Sequence, residues 1–149
     1  MKTKYSVAEL VPHSGSMSLL DEVIDYGDDW LHAKVTITTD SMFAEEQGVP
    51  AIVGIEYLAQ AIAAYAGLQE RKGGNKPKLG FLLGVRKYIC SADFFALGET
   101  LILQVQVEMQ ADNGLSAFNC ILKNGDIEAT ARLNVFQPDD AEQFLQDNS

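Results

Sequence analysis

The sequence predicts an α+β domain in which a curved antiparallel sheet wraps around one long helix. Three observations lead there. The nineteen residues from Pro50 to Leu68 are apolar nearly all round and carry one charge, so this helix needs cover on most sides. Three other segments alternate apolar and polar residues with the two-residue period of half-buried strands. A length of 149 residues, 47 % hydrophobic and 21 % charged, suits a single core and leaves no room for separate lobes. Only one long helix is evident, so its cover has to come from the sheet.

Leu19 to Asp25 is a candidate first strand. Leu31 to Thr38 alternates fully, with Leu31, Ala33, Val35 and Ile37 on one face and His32, Lys34, Thr36 and Thr38 on the other. The helix follows, from Ala51 to Leu68. Its length also suits a bilayer, but Glu56, Gln60 and a makeup rich in Ala rather than Leu favour the central helix of a soluble domain. Gly80 to Ile89 reads as a strand. Thr100 to Met109 places Leu101, Leu103, Val105, Val107 and Met109 on one face, and Ile127 to Phe136 turns Ile127, Ala129, Ala131, Leu133 and Val135 inward. Leu115 to Leu122 lies between Asp112-Asn113-Gly114 and Asn124-Gly125-Asp126. Asn and Gly tolerate the positive φ of tight hairpin turns, so these last three strands form an antiparallel meander. That makes five or six strands in one domain spanning 1–149. The acidic tail from Gln137 onward, with Asp139, Asp140, Glu142 and Asp147, reads as a flexible, solvated end.

A net charge of −10 argues against a nucleic-acid partner, whose footprint would be basic. Cys90 and Cys120 stand thirty residues apart without a Cys-x-x-Cys pair, and only two histidines are present. No disulfide framework or metal site is expected from them, nor any cofactor, and two core thiols suit a reducing cytosol. Met1-Lys2-Thr3-Lys4-Tyr5-Ser6 has no apolar stretch behind it, so no signal peptide is visible and a cytoplasmic location is expected.

Glu56 is the residue that needs a reason. It sits two turns into an apolar helix with Gln60 four residues on. A buried carboxylate is either paired, as at a subunit interface, or neutral with a raised pKa. A neutral carboxylic acid in an apolar pocket can donate a proton, which is general-acid chemistry. Pro50 fits the start of the helix, where the amides of Ala51 and Ile52 have no acceptor within it and can hold a carbonyl oxygen gaining negative charge.

Val49-Pro50-Ala51-Ile52-Val53-Gly54-Ile55-Glu56-Tyr57-Leu58-Ala59-Gln60 resembles the central-helix motif of the 3-hydroxyacyl-[acyl-carrier-protein] dehydratases, in which an acidic residue is followed by x-x-x-Gln. Val11-Pro12-His13-Ser14-Gly15-Ser16-Met17-Ser18-Leu19-Leu20-Asp21 is similar to that family's Pro-His-Arg-x-Pro-x-Leu-Leu-x-Asp segment. Lys78 to Gly84 and Leu97-Gly98-Glu99 resemble two later stretches, so four blocks lie in the family's order across residues 11 to 109. The Gly-Ile-Glu-Tyr-x-Ala-Gln run is most similar to the dehydratase-like proteins of aryl polyene and polyketide pathways. The resemblance implies a hotdog fold and water elimination from a 3-hydroxyacyl thioester in fatty-acid-like or polyene synthesis. It also implies a dimer.

Carried over residue by residue, the resemblance makes Glu56 the acid that protonates the departing 3-hydroxyl. Ala51 falls on the glycine whose amide holds the thioester carbonyl. The family's base is a histidine fourteen residues before the acid, and here that position is Met42, followed by Phe43-Ala44. Methionine cannot accept a proton. No histidine exists between His32 and the C-terminus. His13 remains as a candidate base, although the family's histidine in that segment is not the catalytic one. Glu45 and Glu46 would serve only if their loop folded inward.

Six of the eleven basic residues, Arg71, Lys72, Lys76, Lys78, Arg86 and Lys87, fall within seventeen positions. Such a patch could receive acyl carrier protein, or it is a solvated loop around Gly73-Gly74-Asn75. Three functions stay open: a dehydratase, alone or in a homodimer; a non-catalytic subunit of a heterodimer with an active dehydratase; and an acyl-CoA thioesterase.

Overall fold

The computed structural model describes residues 19–73, 81–111 and 113–136. The tail from Gln137, the segment containing His13, and Lys76 and Lys78 lie outside the described residues. Strands β1 (Glu22–Tyr26) and β2 (Trp30–Thr36) come first, followed by the two-residue β3 (Val49–Pro50). A 3-10 turn, Ala51–Val53, runs directly into helix α1 (Gly54–Lys72). Then follow β4 (Phe81–Cys90), β5 (Phe94–Phe95), β6 (Thr100–Gln110), β7 (Leu115–Asn124) and β8 (Ile127–Phe136).

Six strands form one antiparallel sheet in the order β1-β2-β6-β7-β8-β4, and β3 pairs separately with β5. The meander of β6, β7 and β8 matches the sequence expectation. Gly125, at φ 51, begins the tight turn that pairs Asn124 with Ile127, and Gly114, at φ 93, stands before β7. The chain leaves β2 near one end of the sheet and returns as β4 on the far edge. The helix spans the concave face between them.

That crossing makes the core. Tyr57, Leu58, Ala61, Ile62, Ala64, Tyr65 and Leu68 of α1 are buried against Leu31, Ala33 and Val35 of β2, Leu101, Leu103 and Val105 of β6, and Leu122 and Leu133 beyond. Alanines at 61 and 64 leave little side chain between helix and sheet, so the backbones lie close. Each buried leucine contributes about 2 kcal/mol relative to an exposed one.

Two expectations need correction. Met109 does not continue the inward row of β6; it is 50 % exposed. The register shifts between Val107 and Met109, and the extra residue of a bulge turns later side chains to the other face. Cys120 is buried as expected, but Cys90, on edge strand β4, is only half-buried.

The larger correction concerns the helix. The sheet covers one side of it only. Ile52 is 64 % exposed, Glu56 is exposed as well, and Ala59, Ala63 and Ala66 are half-buried along the same side. Within the chain, therefore, Glu56 is not a buried carboxyl. One curved sheet can enclose only one flank of a helix, and among the described residues the other flank remains open. The neighbouring edge strand is open too: Leu82, Leu83, Val85 and Ile89 are 41, 57, 37 and 66 % exposed.

Candidate functional site

The start of the helix is held from three directions. The amide of Ala51 donates to the carbonyl oxygen of Asp93 at 2.8 Å. The carbonyl oxygen of Ala51 accepts the Tyr88 hydroxyl and the amide of Gly54. Pro50, at φ −54, precedes the turn, and no side chain caps it. The short β3–β5 ladder brings Asp93 into place, because Pro50 pairs with Phe94. Gly48, at φ 122, lies against the Phe95 backbone, where a Cβ would have no room.

This geometry overturns one sequence expectation. The Ala51 amide is already occupied by Asp93 and cannot hold a thioester oxygen. The amide of Ile52 is next in the first turn, where no acceptor within the helix reaches it, and the residue is open to solvent. Glu56 lies four residues further on, one turn along the same open side. Ile52 and Glu56 are thus brought together, facing outward from the chain.

Gln60 goes elsewhere. It is 1 % exposed, and its Oε1 accepts a hydrogen bond of 2.8 Å from the amide of Leu19. Its carbonyl therefore anchors the segment leading into β1 and does not face the open side beside Glu56. Glu56 and Gln60 are spaced for one face, yet the first is exposed and the second buried.

Met42 lies in the loop before the helix. The loop is pinned by the Ser41 hydroxyl, which accepts from the Thr38 amide at 2.8 Å, and by the Glu45–Gly48 bridge. Met42 lines a cavity of about 330 Å³ together with Leu19, Asp21, Val35, Asp40 and Tyr57. Glu56 is not among its lining residues. Burial, with Asp21 nearby, pushes the Tyr57 hydroxyl up to about 12, so it stays protonated at the cavity wall. Phe43, next to Met42, has a φ of 68 and is 59 % exposed. Glu45 and Glu46 are exposed, as surface charges.

His32 is the one histidine among the described residues. It packs on Trp30 with ring centroids 4.7 Å apart, in β2 among the residues that alternate away from the core. Partial burial lowers its pKa. No histidine therefore stands beside Glu56 among the described residues. What sequence reasoning missed was Tyr88. It is one of two aromatics in β4, after Arg86 and Lys87, and nothing in the local pattern shows that its hydroxyl meets Ala51.

A curved antiparallel sheet closed over one long helix, with the acid and the helix start on the uncovered side, defines a hotdog protein. Solved structures agree on that class. Zebrafish thioesterase superfamily member 2 superposes with a TM-score of 0.64 at 13 % identity, covering 88 % of this chain and 91 % of that one. The Escherichia coli PaaI protein from the phenylacetic acid degradation operon gives 0.59 at 16 % identity, over 76 and 80 %. At such identities the likeness concerns the fold alone. The family model for ApeP-like proteins, described as ApeP dehydratase, matches residues 5–146, and the chain belongs to the ApeP-like dehydratase family. The dehydratase heterocomplex ApeI:P from Xenorhabdus doucetiae is similar at a TM-score of 0.88 and 29 % identity, covering 99 % of this chain and 100 % of that one. No curated protein sequence matches the chain.

Proposed function

We propose that this chain is the acid-bearing subunit of a two-chain dehydratase that eliminates water from a 3-hydroxyacyl thioester. The observation that carries this reading is the exposure of Glu56 and Ile52 together on the uncovered side of the helix, while Met42 holds the sequence position of the family's base. A partner chain laid over that side would bury Glu56 and supply the missing histidine. The exposed leucines, Val85 and Ile89 of β4 extend the same open surface and suit pairing with a second sheet edge. The ApeI:P structure is a heterocomplex, which supports a related dehydratase as partner in preference to a second copy.

In this scheme the thioester carbonyl accepts a hydrogen bond from the Ile52 amide, which makes the C2 proton more acidic. The partner's base removes that proton. The C2–H electrons form the C2–C3 double bond as the C3–O bond breaks, and Glu56 protonates the departing hydroxyl to release water. The now ionised Glu56 and the protonated base reset by proton exchange through solvent. Substrate delivery by acyl carrier protein is supported by exposed Lys72, Arg86 and Lys87 with Arg71 beside them, since carrier proteins present acidic surfaces. A cytoplasmic setting fits such a substrate. His13 is not needed as a base here.

The test is turnover of a 3-hydroxyacyl-[acyl-carrier-protein] by the chain alone, by a histidine-bearing related dehydratase with which it co-purifies, and by the complex. The chain alone should be inactive. Glu56→Gln should lower turnover of the complex about 100-fold or more. A Glu56→Gln complex as active as wild type would show that the chain only supports its partner. Release of free acid from an acyl-CoA by the chain alone would favour thioester hydrolysis instead.

A further inference from the structure

Tyr88 comes from an edge strand whose neighbouring apolar side chains, Val85 and Ile89, face outward. Its own ring turns inward and packs against the core. The reversal has a local cause. The β4–β8 register is irregular between Arg86 and Ile89, and Lys87 within that irregularity adopts a φ of 54. A non-glycine residue in left-handed conformation is held there by its surroundings. The irregularity delivers the Tyr88 hydroxyl to the carbonyl oxygen of Ala51. Gly54 leaves the space, because a Cβ at that position would collide with the hydroxyl.

The Ala51 carbonyl and the Ile52 amide belong to one peptide group. A donor on the carbonyl oxygen draws electron density through the peptide and makes its N–H a stronger donor. Two donors converge on that oxygen, the Tyr88 hydroxyl and the Gly54 amide. The Asp93 carbonyl meanwhile fixes the preceding peptide through the Ala51 amide. The result is one oriented, polarised N–H, that of Ile52, at the start of the helix whose open side carries Glu56 one turn on.

We propose that Tyr88 is a positioning residue for the elimination: its hydroxyl orients and polarises the Ala51–Ile52 peptide so that the Ile52 amide binds the thioester oxygen as negative charge develops there. This rests on the dehydratase reading above and adds to it a residue that touches no substrate. Burial keeps the Tyr88 phenol protonated to high pH, with Cys90 adding to the effect, so it acts as a donor throughout the working range.

The experiment uses the complex with the histidine-bearing dehydratase, and the enoyl thioester product carrying a 13C-labelled carbonyl. Infrared difference spectra read the carbonyl stretch of the bound product, beside kcat and KM. Bound to wild type, the stretch should fall below its solution frequency. Tyr88→Phe should recover roughly 10–30 % of that fall and lower kcat about threefold to tenfold with KM unchanged. Gly54→Ala, which pushes the hydroxyl away, should move both readouts the same way, and serves if Tyr88→Phe fails to assemble. A carbonyl shift and kcat retained in either variant would overturn the role of Tyr88 and leave the dehydratase reading standing. No shift in wild type, with turnover still lost in Glu56→Gln, would place the carbonyl elsewhere and overturn the proposal alone. Full turnover in Glu56→Gln would sink the dehydratase reading itself.

Discussion

Replacing Gly54 with alanine sets two effects of known size against each other. Gly54 opens α1 with a helical φ of −55, so alanine there should gain about 1 kcal/mol of helix propensity. Its Cβ, however, would overlap the Tyr88 hydroxyl and lie 3.2 Å from both Leu122 Cδ1 and Phe95 Cζ. Displacing the hydroxyl from Ala51 loses a hydrogen bond worth about 1 kcal/mol net, and crowding a packed core costs about 1–3 kcal/mol. Gly54→Ala should therefore destabilise the chain by about 1–3 kcal/mol, lowering Tm by about 2–4 °C per kcal/mol. The sign is opposite to the propensity rule. In a Tyr88→Phe background the colliding oxygen is gone, so the cost should shrink by about 1 kcal/mol, a coupling that a double-mutant cycle resolves. The assay is urea unfolding at fixed protein concentration, which keeps association constant. A stabilised Gly54→Ala, or an equal cost in both backgrounds, would refute the packing assigned to the helix start.

Other perturbations test other parts of the structure. Leu68, fully buried at the far end of α1, should cost about 2–5 kcal/mol as Leu68→Ala in the same unfolding assay. Ile89→Glu on the open edge of β4, at a side chain 66 % exposed, should leave the single chain folded. It should weaken assembly with the partner dehydratase at least about 30-fold by analytical ultracentrifugation; unchanged affinity would remove β4 from the interface. Burial raises Cys120 from 9.0 to about 12 and Tyr57 from 10.0 to about 12. The unfolded chain releases these protons first, so stability should be full below about pH 9 and fall as pH rises towards 12. Unfolding midpoints at pH 8 and 10.5 check this, and a flat profile would contradict it. At pH 8 a thiol reagent should modify half-buried Cys90 well before Cys120 in the native chain, as mass spectrometry of the labelled peptides would show.

What could and could not be read in the sequence has one physical cause: a hydropathy pattern reports that a residue is sheltered, not what shelters it. The rows Leu31-Ala33-Val35 and Leu101-Leu103-Val105 were legible because their shelter is the helix of the same chain, and strand geometry fixes which side chains meet it. Met109 left its row because a bulge changes the count without changing the residue types. The flank of α1 and its opening turn that bears Ile52, Glu56 and Ala59 is apolar but for one acid, yet no segment described in this chain covers it fully. From composition alone a helix enclosed by its own sheet and a helix shared between two chains look the same. The same holds for the chemistry. Glu56 and the helix start stand out in the sequence only as residue types, a carboxylate in an apolar run and a first turn with unpaired amides. Which amide is available was not legible, because Asp93 takes the Ala51 amide and Tyr88 the Ala51 carbonyl across 42 and 37 positions of sequence. Both partners depend on backbone features without a residue signature, a two-residue strand at Phe94 and a left-handed lysine at 87. An apolar surface around one exposed acid is costly to leave in water, and among the described residues no histidine stands beside that acid. If a single partner chain meets both, as proposed above, loss of assembly and loss of turnover should follow each other across β4 and α1 variants.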